Sequence, residues 1–516
     1  AVLESAVARL PPEYRARDGA RLLAALKARR DAMKEEAARF YRHLAGKVDV
    51  YGTDVAERVE LTGTAGGGLD VKVTAAGADA PYFHRTLLHA ETEEVRVYLQ
   101  GGDDKVVVGG EASPITIRVI GGAGCDAVET ARGFEVRVSD ADDCTTVAGG
   151  PAALDRHAYV PPKGDKNAPW IPPRDWGSLT TSIPWLSYSS DLGLFVGASA
   201  TRVAYGFRKD PYASRQRFRA GYATGADAVR VDYQGDFRLE NSRTRASLWA
   251  RASGIEILRY YGPGNETKLL ASDDSHKVQQ QQFLLAPALT FDLGPGADLS
   301  VGPVVQYTTT SLTAGRLITA VRPYGTEDFG QVGGKASFVL DRRDLAGYPT
   351  RGAFLRAEGR AFPAVWGVRS TFGEVHGDAA TYWTGAFGPH PTLALHAGGK
   401  RVWGDYPFEE AAYIGGHDTV RGFRTDRFAG DGSLYGNAEL RLALGRFFLL
   451  FPGEAGVFGL ADVGRVWVSG ETSRRWHHAV GGGVWFSFVN RRNTLSVSVA
   501  KTEERTGLYV DAGFMF

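Results

Sequence analysis

Two hydrophobic rhythms divide the chain. Over residues 1–48, Leu22, Leu26, Met33, Ala37, Phe40, Tyr41 and Leu44 recur at near-helical spacing among Arg, Lys and Glu. That spacing predicts an amphipathic helix packed on the segment that follows. Pro11 and Pro12 separate it from a shorter helix before it. From 49 to 148 the period drops to two. Residues 95–104 (VRVYLQGGDD), 117–126 (IRVIGGAGCD) and 136–144 (VRVSDADDC) are β-runs ending in Gly/Asp turns, at a step of roughly 20 residues. A constant step predicts stacked rungs of a small periplasmic β-solenoid, or a sandwich. Residues 149–177 hold Pro161, Pro162, Trp170 and Trp176 and read as a semi-rigid linker, with the indoles near a headgroup boundary.

From 178 to 516 alternation is continuous. Sixteen candidate strands open between Ser178 and Gly507, an even number as a single-chain bacterial barrel requires, each about 10 to 16 residues long. Short turns such as Arg491-Arg492 alternate with longer polar loops such as 405–433. The last strand is the sharpest local signal. Leu508, Val510, Ala512, Phe514 and Phe516 point one way, and Tyr509, Asp511, Gly513 and Met515 the other. A terminal phenylalanine on an apolar face is expected of outer-membrane barrels.

Composition supports this reading indirectly. Apolar residues make up 43%, aromatics 11%, and there are 65 glycines among 516 residues. The formal charge of +1 gives no basic field for nucleic acid. No stretch approaches the roughly 18 apolar residues of a spanning helix. Barrel strands escape that test because only alternate residues face lipid. The chain opens AVLESAVARL, without a basic or long apolar segment, which predicts either a signal peptide already removed or a downstream piece of something longer.

Candidate chemistry is sparse. No Gly-x-Ser-x-Gly, His-Glu-x-x-His or acid pair occurs, the eleven histidines are scattered, and no enzyme is expected. In the rung register Cys125 and Cys144 occupy matching turns about 4.8 Å apart, which predicts a disulfide. The run 121–126 (GGAGCD) is similar to one unit of a calcium-binding repeat, so Asp103, Asp104 and Asp126 are candidate calcium ligands, or simply good turn formers. No other cofactor is expected. In the first strand, Pro184 cannot donate to a ladder, and prolines of this kind belong at edges or bulges. The seam it would form with the last strand, which carries Gly507, Gly513 and Phe516, is the expected weak line in the wall, unless Pro184 marks a harmless bulge.

Several ordered motifs carry a family likeness. Residues 415–423 (GGHDTVRGF) resemble the sixth extracellular loop signature of the BamA/TamA superfamily of outer-membrane assembly and secretion barrels. Residues 340–352, with Asp341, Arg342, Arg343 and Asp344, look like the family's turn before a central strand. Tyr261 to Asn265, Asn437 to Arg441 and Leu460 to Gly464 match further pieces. The resemblance implies that the signature loop, Val420, Arg421, Gly422 and Phe423, folds back into the lumen. There Arg421 would meet an acid on the inner wall, with Asp462 the best candidate. It also implies a lateral gate at the first–last seam and a role in protein insertion or translocation, with outer-membrane lipid, lipopolysaccharide, protein clients or accessory subunits as partners. An alternative is a structural barrel that anchors partner proteins or an upstream enzyme; a simple porin fits less well, because the loop would fill the lumen. The family's POTRA repeats are not found in 1–165. Instead, residues 51–54 (YGTD) and 91–96 (ETEEVR) look like the connector of members fused to a metallophosphoesterase, without any phosphoesterase metal motif.

Overall fold

The computed structural model divides into two compact units, Ala1–Ala168 and Pro169–Phe516, each described here by itself. It describes residues 1–159, 174–189, 192–270, 272–388, 390–448 and 452–516; Pro161, Pro162 and Trp170 lie outside them.

In the first unit a short helix, Val2–Ala8, precedes a long one, Ala20–Ala45. Contrary to the packed helix expected, Leu22, Met33, Phe40, Tyr41 and Leu44 are exposed. Only the end of the helix meets the strands that follow: Ala45 is buried, and the Tyr41 hydroxyl donates to Glu91 at 3.0 Å. The short helix lies against the start of the long one, where Leu26 is half-buried and Lys27 pairs with Glu4, but Met33, Phe40 and Leu44 stay exposed. The strands form two stacked sheets. One holds Lys47–Tyr51, Glu94–Tyr98, Thr116–Ile120, Val136–Ser139 and Ala152–Asp155, all parallel. The other runs in parallel through Glu57–Thr64, Lys105–Gly110, Ala127–Thr130 and Thr146–Gly149, and an antiparallel hairpin extends it. Val95, Ile117 and Val136 align across the rungs, and Val, Leu and Ile side chains fill the space between the sheets. This is a solenoid. Its last rung reaches Asp155, past the expected linker boundary at 149, because Ala152–Asp155 finds ladder partners on Val136–Ser139. Cys125 and Cys144 are joined by a disulfide with Cα atoms 5.1 Å apart.

The second unit is an antiparallel sheet of sixteen strands in sequential order. They are Ser178–Ser189, Gly193–Ala204, Ser214–Ala223, Ala228–Arg238, Arg245–Arg259, Lys277–Gly294, Ala297–Thr310, Phe329–Asp341, Gly352–Phe362, Phe372–Thr384, Thr392–Trp403, Gly432–Phe448, Pro452–Trp467, His477–Phe488, Thr494–Lys501 and Thr506–Ala512. Their lengths run from 7 to 18 residues, wider than expected. Phe218, Val229, Leu285, Leu395, Leu440, Val484 and Val510 are large, exposed and outward, the apolar belt of a barrel in lipid. Alternate positions turn inward, where polar and charged groups are interspersed with buried apolar clusters. Asn437, Glu439 and Arg441 on the twelfth strand are buried while Leu434 and Leu440 beside them are exposed. No helix among the described residues is long and apolar enough to cross a membrane.

The rim where the first strand begins is called the near rim, the opposite one the far rim. Among the described residues the first strand has a ladder partner only in the second, and the last strand only in the fifteenth. The alternation expected to carry through Phe516 stops at Ala512. Gly513 takes φ +106°, a conformation L side chains rarely adopt, and the chain turns inward there. Phe514 is therefore buried against Tyr348, Phe458 and Trp485 instead of facing out with Leu508 and Val510.

Candidate functional site

The connection between the eleventh and twelfth strands, 404–431, enters the lumen from the far rim. Its base is a small hairpin, Ala412–Ile414 paired with Phe428–Gly430, and its tip carries the signature residues. Val420, Arg421 and Phe423 are each no more than 2% exposed. The Arg421 guanidinium grips Asp462 on the thirteenth strand with two bonds, Nε to Oδ2 at 2.8 Å and Nη2 to Oδ1 at 2.7 Å. Its backbone N–H donates to the same carboxylate at 3.0 Å. A second acid completes the grip. Arg421 Nη1 donates to Glu439 Oε1 at 2.6 Å, and Glu439 in turn accepts from Arg441 at 2.9 and 2.7 Å. The result is an alternating line, Asp462, Arg421, Glu439, Arg441, whose formal charges sum to zero. Such a line lets four charges be buried where each alone is prohibitive.

Local backbone shape makes the approach possible. Gly422 has φ +86°, and a Cβ there would lie 2.5 Å from Thr502 Cγ2. Its N–H donates to the Tyr509 hydroxyl on the last strand at 2.7 Å. A Cβ on Gly464 would come within 2.8 Å of Val420, so a bare wall position admits the loop. Phe423 packs edge-on to Phe428 and His477, inside a cluster with Ile414, Val420 and Val466. The loop also touches the last strand at His417, whose Nε2 is 2.7 Å from Asp511.

Other loops knit over the far mouth. Asn265 exchanges two hydrogen bonds with the Val466 backbone, at 2.8 and 3.1 Å, and Gly264 N–H donates to Ala429 in the hairpin. Arg427 reaches Thr267 and Glu504, and Arg424 reaches Asp273. Between the loop and the fifth to seventh strands lies a polar cavity of about 270 Å³, lined by Gln280, Gln306, Glu409 and Glu410 among others.

At the near rim, the turn 342–351 folds across the mouth. Asp341 accepts two side-chain bonds from Arg343, while Arg342 is exposed. Asp344 accepts from Thr350 and from Arg491 of another turn. Tyr348 stands 5.1 Å from both Trp485 and Phe514, ring centre to ring centre, and Gly347 accepts the Phe514 N–H. Arg441 lies 3.8 Å over the Phe514 ring and donates to an oxygen of Phe516 at 3.1 Å. Gly513 therefore serves an inward turn, while Gly507 is a buried position on the last strand. Pro184 is exposed on the first strand.

The calcium candidates do not converge. Asp104 Oδ1 accepts the Glu57 N–H at 2.7 Å, Asp126 Oδ1 accepts the Asp104 N–H at 3.0 Å, and Asp103 accepts from Cys125. Each carboxylate caps a neighbouring rung, and among the described residues no group of three or more His, Cys, Asp or Glu side chains is set to hold a metal. Burial, reinforced by neighbouring carboxylates, pushes Asp104 up to about 7 and Asp126 to about 6.

Sequence reasoning named Asp462 but missed Glu439, Tyr509 and the capping role of the rung aspartates. Glu439 was visible inside the 437–441 motif, yet two residues from Arg441 it reads as an acid already paired.

Residues 193–498 match the Omp85 superfamily domain. Among solved structures the chain is similar to BamA from Haemophilus ducreyi lacking POTRA domains 1–3, at 12% identity and TM-score 0.46, over 65% of this chain and 68% of that one. It is also similar to CdiB from Acinetobacter baumannii (12% identity, TM-score 0.39, 65% of this chain, 60% of that one). CdiB from Escherichia coli gives 12% identity, TM-score 0.42 and coverage of 65% and 62%. The match thus spans less than two thirds of either CdiB chain. No curated protein matches. With more than half of its length inside the domain match, the chain belongs to the Omp85 superfamily.

Proposed function

We propose that this barrel inserts proteins into the bacterial outer membrane or moves them across it, working through the edges of its first and last strands. The observation that carries the reading is that, among the described residues, no ladder joins those two strands, while every other neighbouring pair in the wall is bonded. Free strand edges recruit extended chains by backbone pairing. The Arg421 loop supports the same reading, because it occupies the lumen and touches the last strand through Tyr509 and Asp511. In this reading the near rim and residues 1–159 face the periplasm, and the partners are lipid, lipopolysaccharide and protein clients. Cysteines introduced in pairs along Ser178–Ser189 and Thr506–Ala512 test it. Oxidative locking should abolish client handling; full activity in a locked barrel sinks the proposal. Depleting the protein separates the branches: loss of many outer-membrane proteins indicates insertion, loss of one exported product indicates dedicated secretion.

A second reading, a barrel that anchors partners at the membrane, draws on the uncovered stripe of Met33, Phe40, Tyr41 and Leu44. Depletion that leaves both protein sets unchanged while releasing a bound subunit favours it.

A further inference from the structure

The inner wall beside the first strand carries charge that the loop network does not use. On the third strand Arg215, Arg217 and Arg219 alternate with Phe218 and Tyr222, whose rings are exposed on the outer face. The three guanidinium groups therefore face the lumen. Their ladder neighbours on the fourth strand are Asp236, Gln234 and Asp232. Asp232 is taken, while Asp236 is engaged only loosely and its buried Oδ1 has no hydrogen-bond partner. Asp232 receives Arg230 at 2.6 Å and Arg251 at 3.0 Å, and Asp236 lies 3.4 Å from Arg245. Among the described residues no ion pair reaches Arg215, Arg217 or Arg219, and the buried Nε of Arg219 has no hydrogen-bond partner. A half-buried donor left in that state is costly, and an anion would relieve it.

The first strand adds the complementary part. Residues paired across a ladder share a face. Register places Leu179, Val203 and Arg215 in one row, and Ile183, Ser199 and Arg219 in another. Leu179 and Ile183 thus face inward beside the arginines, at 50% and 63% exposure, an uncovered apolar strip, whereas apolar side chains elsewhere on the inner wall are packed into buried clusters. Trp185 joins the two parts, its ring 4.8 Å from the Arg219 guanidinium. The strip ends at the strand edge that has no ladder partner, so the face is cationic within and apolar at its opening.

We propose that Arg215, Arg217 and Arg219 form a binding site for the phosphate headgroup of an anionic lipid, with its acyl chains lying along Ile183 and Leu179 and leaving past the edge of the first strand. Arginine forks hold phosphate by paired hydrogen bonds. The apolar strip favours a lipid over an acidic peptide, which has no use for it. The site does not depend on whether the barrel handles proteins.

The test is native mass spectrometry of the full chain in a neutral maltoside detergent, titrated with dihexanoyl phosphatidic acid. Dihexanoyl phosphatidylcholine, inorganic phosphate and a polyglutamate peptide are the comparison ligands. Phosphatidic acid should bind at least about tenfold more tightly than the other three. R217Q/R219Q should weaken it about tenfold or more, and I183D should weaken it while leaving all three arginines in place. Equal binding of phosphatidylcholine by the unaltered chain overturns the proposal, and that result needs no variant to fold. Inorganic phosphate binding as tightly as the lipid, arginine-dependent capture of polyglutamate alone, or undiminished phosphatidic acid binding by R217Q/R219Q each overturns it too.

Discussion

Replacing Arg421 by alanine probes the buried line directly. Asp462 and Glu439 have fully buried side chains, and Arg421 is 2% exposed. In the intact line two acids face two arginines. Without Arg421, Glu439 keeps Arg441, but Asp462 loses both guanidinium bonds, and the lumen holds one uncompensated negative charge. Leaving a buried charge of this kind unpaired costs about 3–5 kcal/mol. At a urea slope of about 3 kcal/mol per M, that is a fall in midpoint of roughly 1–2 M. Arg421→Lys keeps the charge and loses the fork, so its fall should be smaller. The assay follows the folded, heat-modifiable band on a cold gel after equilibration in urea with detergent micelles. The double change R421A/D462A should cost clearly less than the sum of the single changes, because removing both partners leaves no orphan charge. Midpoints of R421A and R421K equal to the parent's, or strict additivity in the double variant, refute the reasoning.

Three further outcomes are expected. Gly422→Ala meets both a strained φ and the Thr502 methyl, and should lower the same urea midpoint by the equivalent of about 1–3 kcal/mol, whereas Tyr509→Phe, which deletes one hydrogen bond, should cost about 1 kcal/mol. Cys125→Ser/Cys144→Ser opens a loop with a sequence separation of 19, and should weaken hydrogen-exchange protection of Thr116–Ile120 and Val136–Ser139 by about 3 kcal/mol. Asp104 binds its proton up to about pH 7 when folded but releases it near 3.8 when unfolded, so the solenoid should lose stability as pH rises through that window. Asp104→Asn should flatten the loss and leave the rungs better protected than the parent at pH 8, measured by hydrogen exchange corrected for intrinsic rates.

The barrel was legible because lipid enforces a strict period of two. Strand openings at Ser178, Ser214, Ala228, Ala297 and Phe329 lie where alternation begins. The last strand was read too long for a related reason. Phe514 and Phe516 continue the apolar face on paper, and nothing in a period reveals that Gly513 takes a left-handed turn that reverses them. Asp462 could be named opposite Arg421 from the order of motifs. Glu439 could not, because its second contact depends on how deep the loop sinks. The rung aspartates looked like ligands because turn residues and metal ligands share chemistry; only the stacking register shows their oxygens aimed at backbone N–H groups. The exposed helix face escaped notice because amphipathicity says that a face wants cover and is silent about what lies near enough to provide it.

The turn 342–351 ties opposite staves of the wall together at the near rim. Tyr348 and Gly347, hung between the eighth and ninth strands, hold Phe514 beyond the sixteenth, and Arg441 on the twelfth clasps the same ring. A swing of the last strand must first pull that aromatic bolt from its socket. Displacement there must break the Tyr348, Gly347 and Arg441 contacts, so the end of the sixteenth strand is tethered to the turn between the eighth and ninth and to the twelfth.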